Sequence, residues 1–84
     1  MSASVVYAMP NRNLAVVADR DFPAPAEIYV GVAGDVSINA WDPQVGAVAT
    51  VYKNAPAGYV LPCLARRVNS SGTTATDLVA NWYK

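Results

Sequence analysis

The sequence contains no histidine and a single cysteine, Cys63. Without histidine there is no Ser-His or Cys-His couple, the commonest means of activating a nucleophile near neutral pH. One cysteine cannot close a disulfide within the chain, so nothing points to an oxidising compartment. Between Pro62 and Leu64, Cys63 reads as a small buried hydrophobe, whereas a reactive thiol would need Arg66 or Arg67 beside it. Charge is also scarce. Six basic and six acidic residues in 84 make 14%, with a net charge of zero, against about 25% in an ordinary domain. The only basic cluster is Arg66-Arg67, with no aromatic interleaving, which argues against a groove that tracks nucleic-acid phosphates.

The carboxylates Asp19, Asp21, Glu27, Asp35, Asp42 and Asp77 do not form a catalytic or metal-binding pattern. Asp19 and Asp21 are too few for a calcium loop. Asp35 and Asp42 stand where turns want an aspartate. Ser71-Gly72-Thr73-Thr74 lacks the Gly-Lys-Ser/Thr end of a phosphate loop. These absences predict that the chain is not an enzyme and uses no cofactor and no metal. No apolar run approaches the roughly 18 residues of a membrane helix. The N-terminus has no positive n-region and only a short apolar run, so the expectation is synthesis in the cytoplasm of the expressing cell, with no membrane partner.

What the chain has in abundance is apolar side chain, 54% of all residues. A single domain of this length buries only roughly 60–65% of the surface its unfolded chain exposes. Much of that apolar surface is left for other chains to cover, so the composition predicts assembly.

The apolar residues follow a period of two. In Glu27 to Trp41, Ile28, Val30 and Val32 alternate with Tyr29, Gly31 and Ala33. Beyond Gly34-Asp35, Val36, Ile38 and Ala40 alternate with Ser37, Asn39 and Trp41. Such alternation around a Gly-Asp pair predicts a hairpin, and a loop of Ala33-Gly34-Asp35 keeps the apolar residues on one face. Further short strands are expected over residues 4–9, 14–18, 47–53, 59–68 and 73–83. Asn11-Arg12-Asn13, Asp42 to Gly46, Asn54 to Gly58 and Asn69 to Gly72 are the expected turns, and Phe22 to Ala26, with two prolines, an extended connector anchored by Phe22. Pro62 interrupts the 59–68 strand and consigns it to an edge or a bulge. The pattern is that of an all-β domain, a small antiparallel β-sandwich or barrel of six to seven short strands. Residues 1–13 are an N-terminal arm or first strand, and 14–84 are one β domain.

Large aromatics and arginine favour interface centres. The candidate interface residues are Tyr29, Trp41, Tyr59, Arg66, Arg67, Trp82 and Tyr83. Strict alternation sends Arg66 and Arg67 to opposite faces of their strand, one across an interface to a carboxylate and the other to solvent. A carbohydrate- or receptor-binding β module, with Trp41, Tyr29 and Tyr59 as stacking platforms, is the alternative to a structural role.

Three stretches carry a family likeness: Ile28-Tyr29-Val30-Gly31-Val32-Ala33-Gly34-Asp35-Val36, then Ala55-Pro56-Ala57-Gly58-Tyr59-Val60-Leu61-Pro62, then Ala65-Arg66-Arg67-Val68-Asn69-Ser70-Ser71-Gly72-Thr73-Thr74-Ala75-Thr76 and its continuation to Ala80. Together they resemble the small head spike-base proteins of tailed phages and phage-derived gene transfer agents. The likeness runs from about Leu14 to Trp82. It departs from the family pattern in the first ten residues, at Cys63-Leu64-Ala65, and at Ser71, where threonine is usual. The resemblance implies a virion structural protein, a capsid decoration (cement) or head-vertex spike-base subunit on the outer surface of the capsid. Its implied partners are the major capsid protein, further copies of itself as a homotrimer or homopentamer, and a spike or fibre protein. It implies no catalytic residue.

Overall fold

The computed structural model describes residues 9–83. The fold is all-β. Six strands run in chain order as β1 (Arg12–Ala15), β2 (Glu27–Tyr29), β3 (Gly34–Ala40), β4 (Thr50–Ala55), β5 (Ala65–Asn69) and β6 (Val79–Trp82). They form two antiparallel three-stranded sheets, ordered β1-β6-β2 and β4-β3-β5. The expected strand over residues 4–9 lies outside the described residues, apart from Met9, which is not in a strand.

Two irregular segments extend the sheets. Residues 58–61 run beside β2: Val30 N–H donates to Tyr59 O, Leu61 N–H to Ile28 O and Gly58 N–H to Val30 O. Residues 19–26 run beside β5, where Asp19 N–H reaches Val68 O, Phe22 N–H reaches Arg66 O, and Ala26 and Ala65 exchange both bonds. The Phe22 to Ala26 connector is therefore tied at both ends. Phe22 anchors it as expected, at 6% exposure.

The 27–41 stretch is not a hairpin. β2 pairs with β6 in the first sheet, while β3 lies between β4 and β5 in the second. The chain crosses from one sheet to the other at residues 30–33. The reason lies in Gly34. Its φ is not positive, so it does not reverse the chain; it clears space. A Cβ there would sit 2.5 Å from Ala75 N. The vacancy lets residues 73–76 lie along this crossing. Thr74 and Ala75 N–H both reach Asp35 O, and Val32 and Thr76 bond reciprocally. The Thr73 and Thr74 hydroxyls accept from Ser37 N–H at 2.9 Å and Asp35 N–H at 2.8 Å. They do the work of backbone carbonyls where no strand is present.

The core is filled from both sheets. Ile28, Val30, Val36, Ile38 and Val68 are all at most 1% exposed, each contributing roughly 1.5–3 kcal/mol of burial. Their alternation survives even though the hairpin does not, because the face a side chain takes is set within its own strand. Much of the remaining interior is alanine: Ala26, Ala55, Ala65, Ala75 and Ala80 are buried. Larger side chains stay outside, among them Val17, Val32, Val45, Val48 and Leu14, all at least 48% exposed.

Boundaries shift elsewhere. Arg12 and Asn13, expected in a turn, open β1 opposite Trp82 and Asn81. Residues 47–49 belong to the preceding loop, and β4 runs on to Ala55. Asn54, at φ +57°, is the extra residue of a bulge there: Gly34 faces Ala55 while Val36 faces Tyr52. Pro62 does break its strand. Residues 58–61 serve the first sheet and Ala65–Asn69 the second.

Candidate interaction surface

The two outer faces of the sandwich differ in chemistry. On the first sheet, register places Ala15 opposite Val79, Val79 opposite Tyr29, and Tyr29 opposite Val60. Directly paired residues share a face, so these four form one apolar row across the sheet. Tyr29 is 40% and Val60 44% exposed. The next row is Asn13, Asn81 and Glu27. These two rows carry one charge, Glu27, beside an uninterrupted apolar strip.

The outer face of the second sheet carries an internally bonded polar cluster, with Val51 exposed opposite Ser37. Asn69 Nδ2 donates to Asn39 Oδ1 at 2.8 Å, and Asn39 Nδ2 donates to Gly46 O at 2.6 Å. Ser37 is 2% exposed, since Gly72 and Thr73 fold over it. Gly46 is buried against the backbone of Ala40, whose carbonyl would clash with any Cβ there. This places the 42–46 turn tightly enough for its carbonyl to serve two donors.

The second of those donors is Arg66, whose Nη2 reaches Gly46 O at 2.7 Å. Arg66 thus lies on the same side as Asn39. Arg67 stands opposite Asn39 in the ladder and shares that side too. The expectation of opposite faces fails because a bulge intervenes. Ala40 pairs with Ala65 and Asn39 with Arg67, leaving Arg66 as the extra residue. Arg67 Nε approaches Asp21 Oδ1 at 3.7 Å. Arg66 has no acidic partner among the described residues.

The remaining candidates divide between the two ends. Trp41, 38% exposed, follows β3 and bonds through its N–H to Leu64 O. Tyr59, 40% exposed, follows a turn in which Gly58 has φ +83°; one residue before Val60, it faces away from the Tyr29 row. Trp82 packs partly against the core and lines two shallow grooves. One, of about 280 Å³, is walled by Pro10, Pro25, Leu64, Trp82 and Tyr83. The structure therefore separates Tyr59 from Tyr29, groups Trp82 with Tyr83, and leaves Trp41 on the second sheet. Sequence reasoning missed Val60, Val79 and Ala15. Their strands are visible in the sequence, but the register that lines them up with Tyr29 is not.

Two carboxylates pin loops rather than offering a site. Asp19, at φ +66°, accepts Ser70 Oγ at 2.6 Å and Ser70 N–H at 3.0 Å, which holds its carboxyl below the ordinary value. Asp35 accepts Asn54 N–H at 2.9 Å and Lys53 Nζ at 3.0 Å, with the same consequence, led by the Asn54 bond. Burial pushes the Tyr52 phenol up. No cluster of metal-ligating side chains occurs among the described residues, and no helix there is long and apolar enough to cross a membrane. Cys63 is half-buried, with its Sγ 3.6 Å from Leu64 O. No protein-family model matches the chain, and no curated protein matches it.

Proposed function

We propose that this protein is a virion structural subunit, a capsid decoration or head-vertex spike-base protein that assembles as a symmetric oligomer on the outside of a tailed-phage-like head. The observation that carries the reading is the amount of large apolar surface left outside a small core. Among the described residues, valines, tyrosines, Leu14, Leu64, Met9 and Trp41 lie at least 38% exposed, with Tyr29 and Val60 in one row across a sheet face. A chain that leaves this much large apolar surface exposed gains further burial from neighbours. At about 25 cal/mol per Å², a few hundred Å² per contact is significant when repeated around a symmetry axis, even after ordering costs. The likeness of the three motif stretches to spike-base proteins supplies the kind of partner: the major capsid protein, further copies of this chain, and a spike or fibre.

The role is mechanical, so no catalytic residue is assigned. A carbohydrate- or receptor-binding module draws less support, because its three aromatic platforms are divided: Tyr29 belongs to the first sheet and Trp41 follows β3 in the second. Particle fractionation tests the reading. A tagged chain is expected to travel with intact heads through a density gradient and to label their outer surface in electron micrographs. A chain that remains with free protein while heads assemble normally would contradict it.

A further inference from the structure

We infer that Arg12 on β1 of one copy seats against Glu27 on the first sheet of a neighbouring copy, with Leu14 beside it covering Tyr29. This names a contact within the proposed assembly and rests on that reading.

Arg12 and Glu27 stand out once the chain's own pairings are made. Among the described residues, Lys53 pairs with Asp35, and Arg67 lies nearest Asp21. Asp19 accepts from Ser70, and Asp42 accepts from Gln44 N–H. Arg66 is tethered to Gly46 O with its Nε enclosed. Arg20 is flanked in the chain by Asp19 and Asp21. Asp77, at φ +56°, lies outside the strands. Arg12 and Glu27 lie on strands, with no side-chain hydrogen bond or ion pair to another described residue. Residues 1–8 contain no Asp, Glu, Lys or Arg to neutralise either.

Glu27 is half-buried. It shares its face with the Tyr29 row and lines the groove walled by Pro10, Pro25, Leu64, Trp82 and Tyr83. A neighbour that covers the Tyr29 row also covers Glu27, and a carboxylate taken out of water without a cation is costly. The covering surface must therefore bring a cation on an apolar stem, which lays its methylenes on the rings and its head at the carboxylate. Arginine suits this best, because its guanidinium is weakly hydrated and grips a carboxylate with two parallel bonds.

β1 has the matching surface. All four of its residues are exposed. Leu14 stands opposite Ala80, on the core side of the sheet, yet it is 48% exposed while Ala80 is at 0%. The core side of β1 therefore overhangs the second sheet. Arg12 lies on that same side, two residues away. Glu27 and Tyr29 are likewise two residues apart on one side of β2. Two extended residues advance roughly 6.6–6.8 Å in either strand. Arg12 at Glu27 thus brings Leu14 over Tyr29 in the same contact. The overhang of β1 and the outer face of β2 are unlike surfaces of one chain, so every copy can both give and receive the contact.

Charge exchange in the full-length chain tests the inference, with native mass read by sedimentation across a dilution series. Glu27→Arg and Arg12→Glu each set like charges together and are expected to weaken assembly by at least about tenfold. Both substitutions in one chain restore an opposite pair and are expected to recover the unmodified mass. A double variant as dissociated as the singles would overturn the inference, and so would singles that keep the unmodified mass. Neutral variants guard against a reversal that merely misfolds the subunit. Glu27→Gln and Arg12→Gln are expected to weaken assembly by similar factors, and the two together by little more than either alone. Losses that multiply in the double neutral variant count against the pairing. Lys84→Gln is expected to leave the mass unchanged, and a loss equal to that of Glu27→Gln would transfer the role of partner from Arg12 to Lys84. In each of these failures an oligomeric unmodified chain leaves the assembly reading standing. If the unmodified chain is monomeric, both fail.

Discussion

The two outer faces of this sandwich are built from similar strands and finished differently. On the second sheet, Asn39, Asn69, Arg66 Nη2 and the Gly46 carbonyl bond to one another, and the 70–73 turn covers Ser37. Most of the polar groups on that face bond within one chain, although Val51, opposite Ser37, stays 42% exposed. On the first sheet, Ala15, Val79, Tyr29 and Val60 form an apolar row with no side-chain hydrogen bonds to lose. The difference teaches where each face contributes. Polar groups that bond within the chain stabilise the subunit, whereas exposed apolar groups contribute only once another surface removes them from water.

Substitutions sharpen the contrast. The largest loss is expected beneath both faces. Ile38→Ala opens a cavity between the sheets and should cost about 2–5 kcal/mol in urea unfolding. Next comes the finished face: Asn39→Ala strips a partner from Asn69 and from Gly46 O, and should cost about 1–3 kcal/mol by the same measurement. On the bare face, Tyr29→Glu should change the stability of the isolated subunit by no more than about 0.5 kcal/mol, while abolishing association measured by sedimentation. A Tyr29→Glu subunit as destabilised as Asn39→Ala would break the comparison.

The smallest effect is expected in acid. Asp19 and Asp35 both have folded-state pKa values below the ordinary 3.8. Their stabilising contributions are therefore present above that value and are lost as the pH falls through it toward the folded value. Urea midpoints followed from about pH 5 to about pH 2 should decline, and Asp35→Asn should flatten part of the decline. Both carboxylates are exposed at their Lys53 and Ser70 partners, so salt and solvent keep the effect small.

How much of this was legible in the sequence depends on range. The alternation identified Ile28, Val30, Val36 and Ile38 as core, because face is a local property of a strand, but failed at Val32, which is 48% exposed where the chain crosses between sheets. The partner of each strand was not legible. Gly34-Asp35 has the composition of a turn, yet Gly34 is there to admit residues 74–75. Ser37 looked outward-facing, and does face out, but the Gly72-Thr73 turn buries it. The Arg66 bulge has no local signature at all: it appears only when Ala40 and Asn39 choose Ala65 and Arg67. The candidate surface was legible as a set of aromatics and not as a row, since the row exists only in the register between β1, β6, β2 and residue 60.

The most direct test of the central claim is the native mass of the full-length chain across a dilution series, with Tyr29→Glu alongside. The account predicts a discrete trimer or pentamer for the unmodified chain and a smaller species for Tyr29→Glu at every concentration. A chain that is monomeric throughout, or an oligomer indifferent to Tyr29→Glu, would contradict the assignment of the first sheet's outer face to assembly.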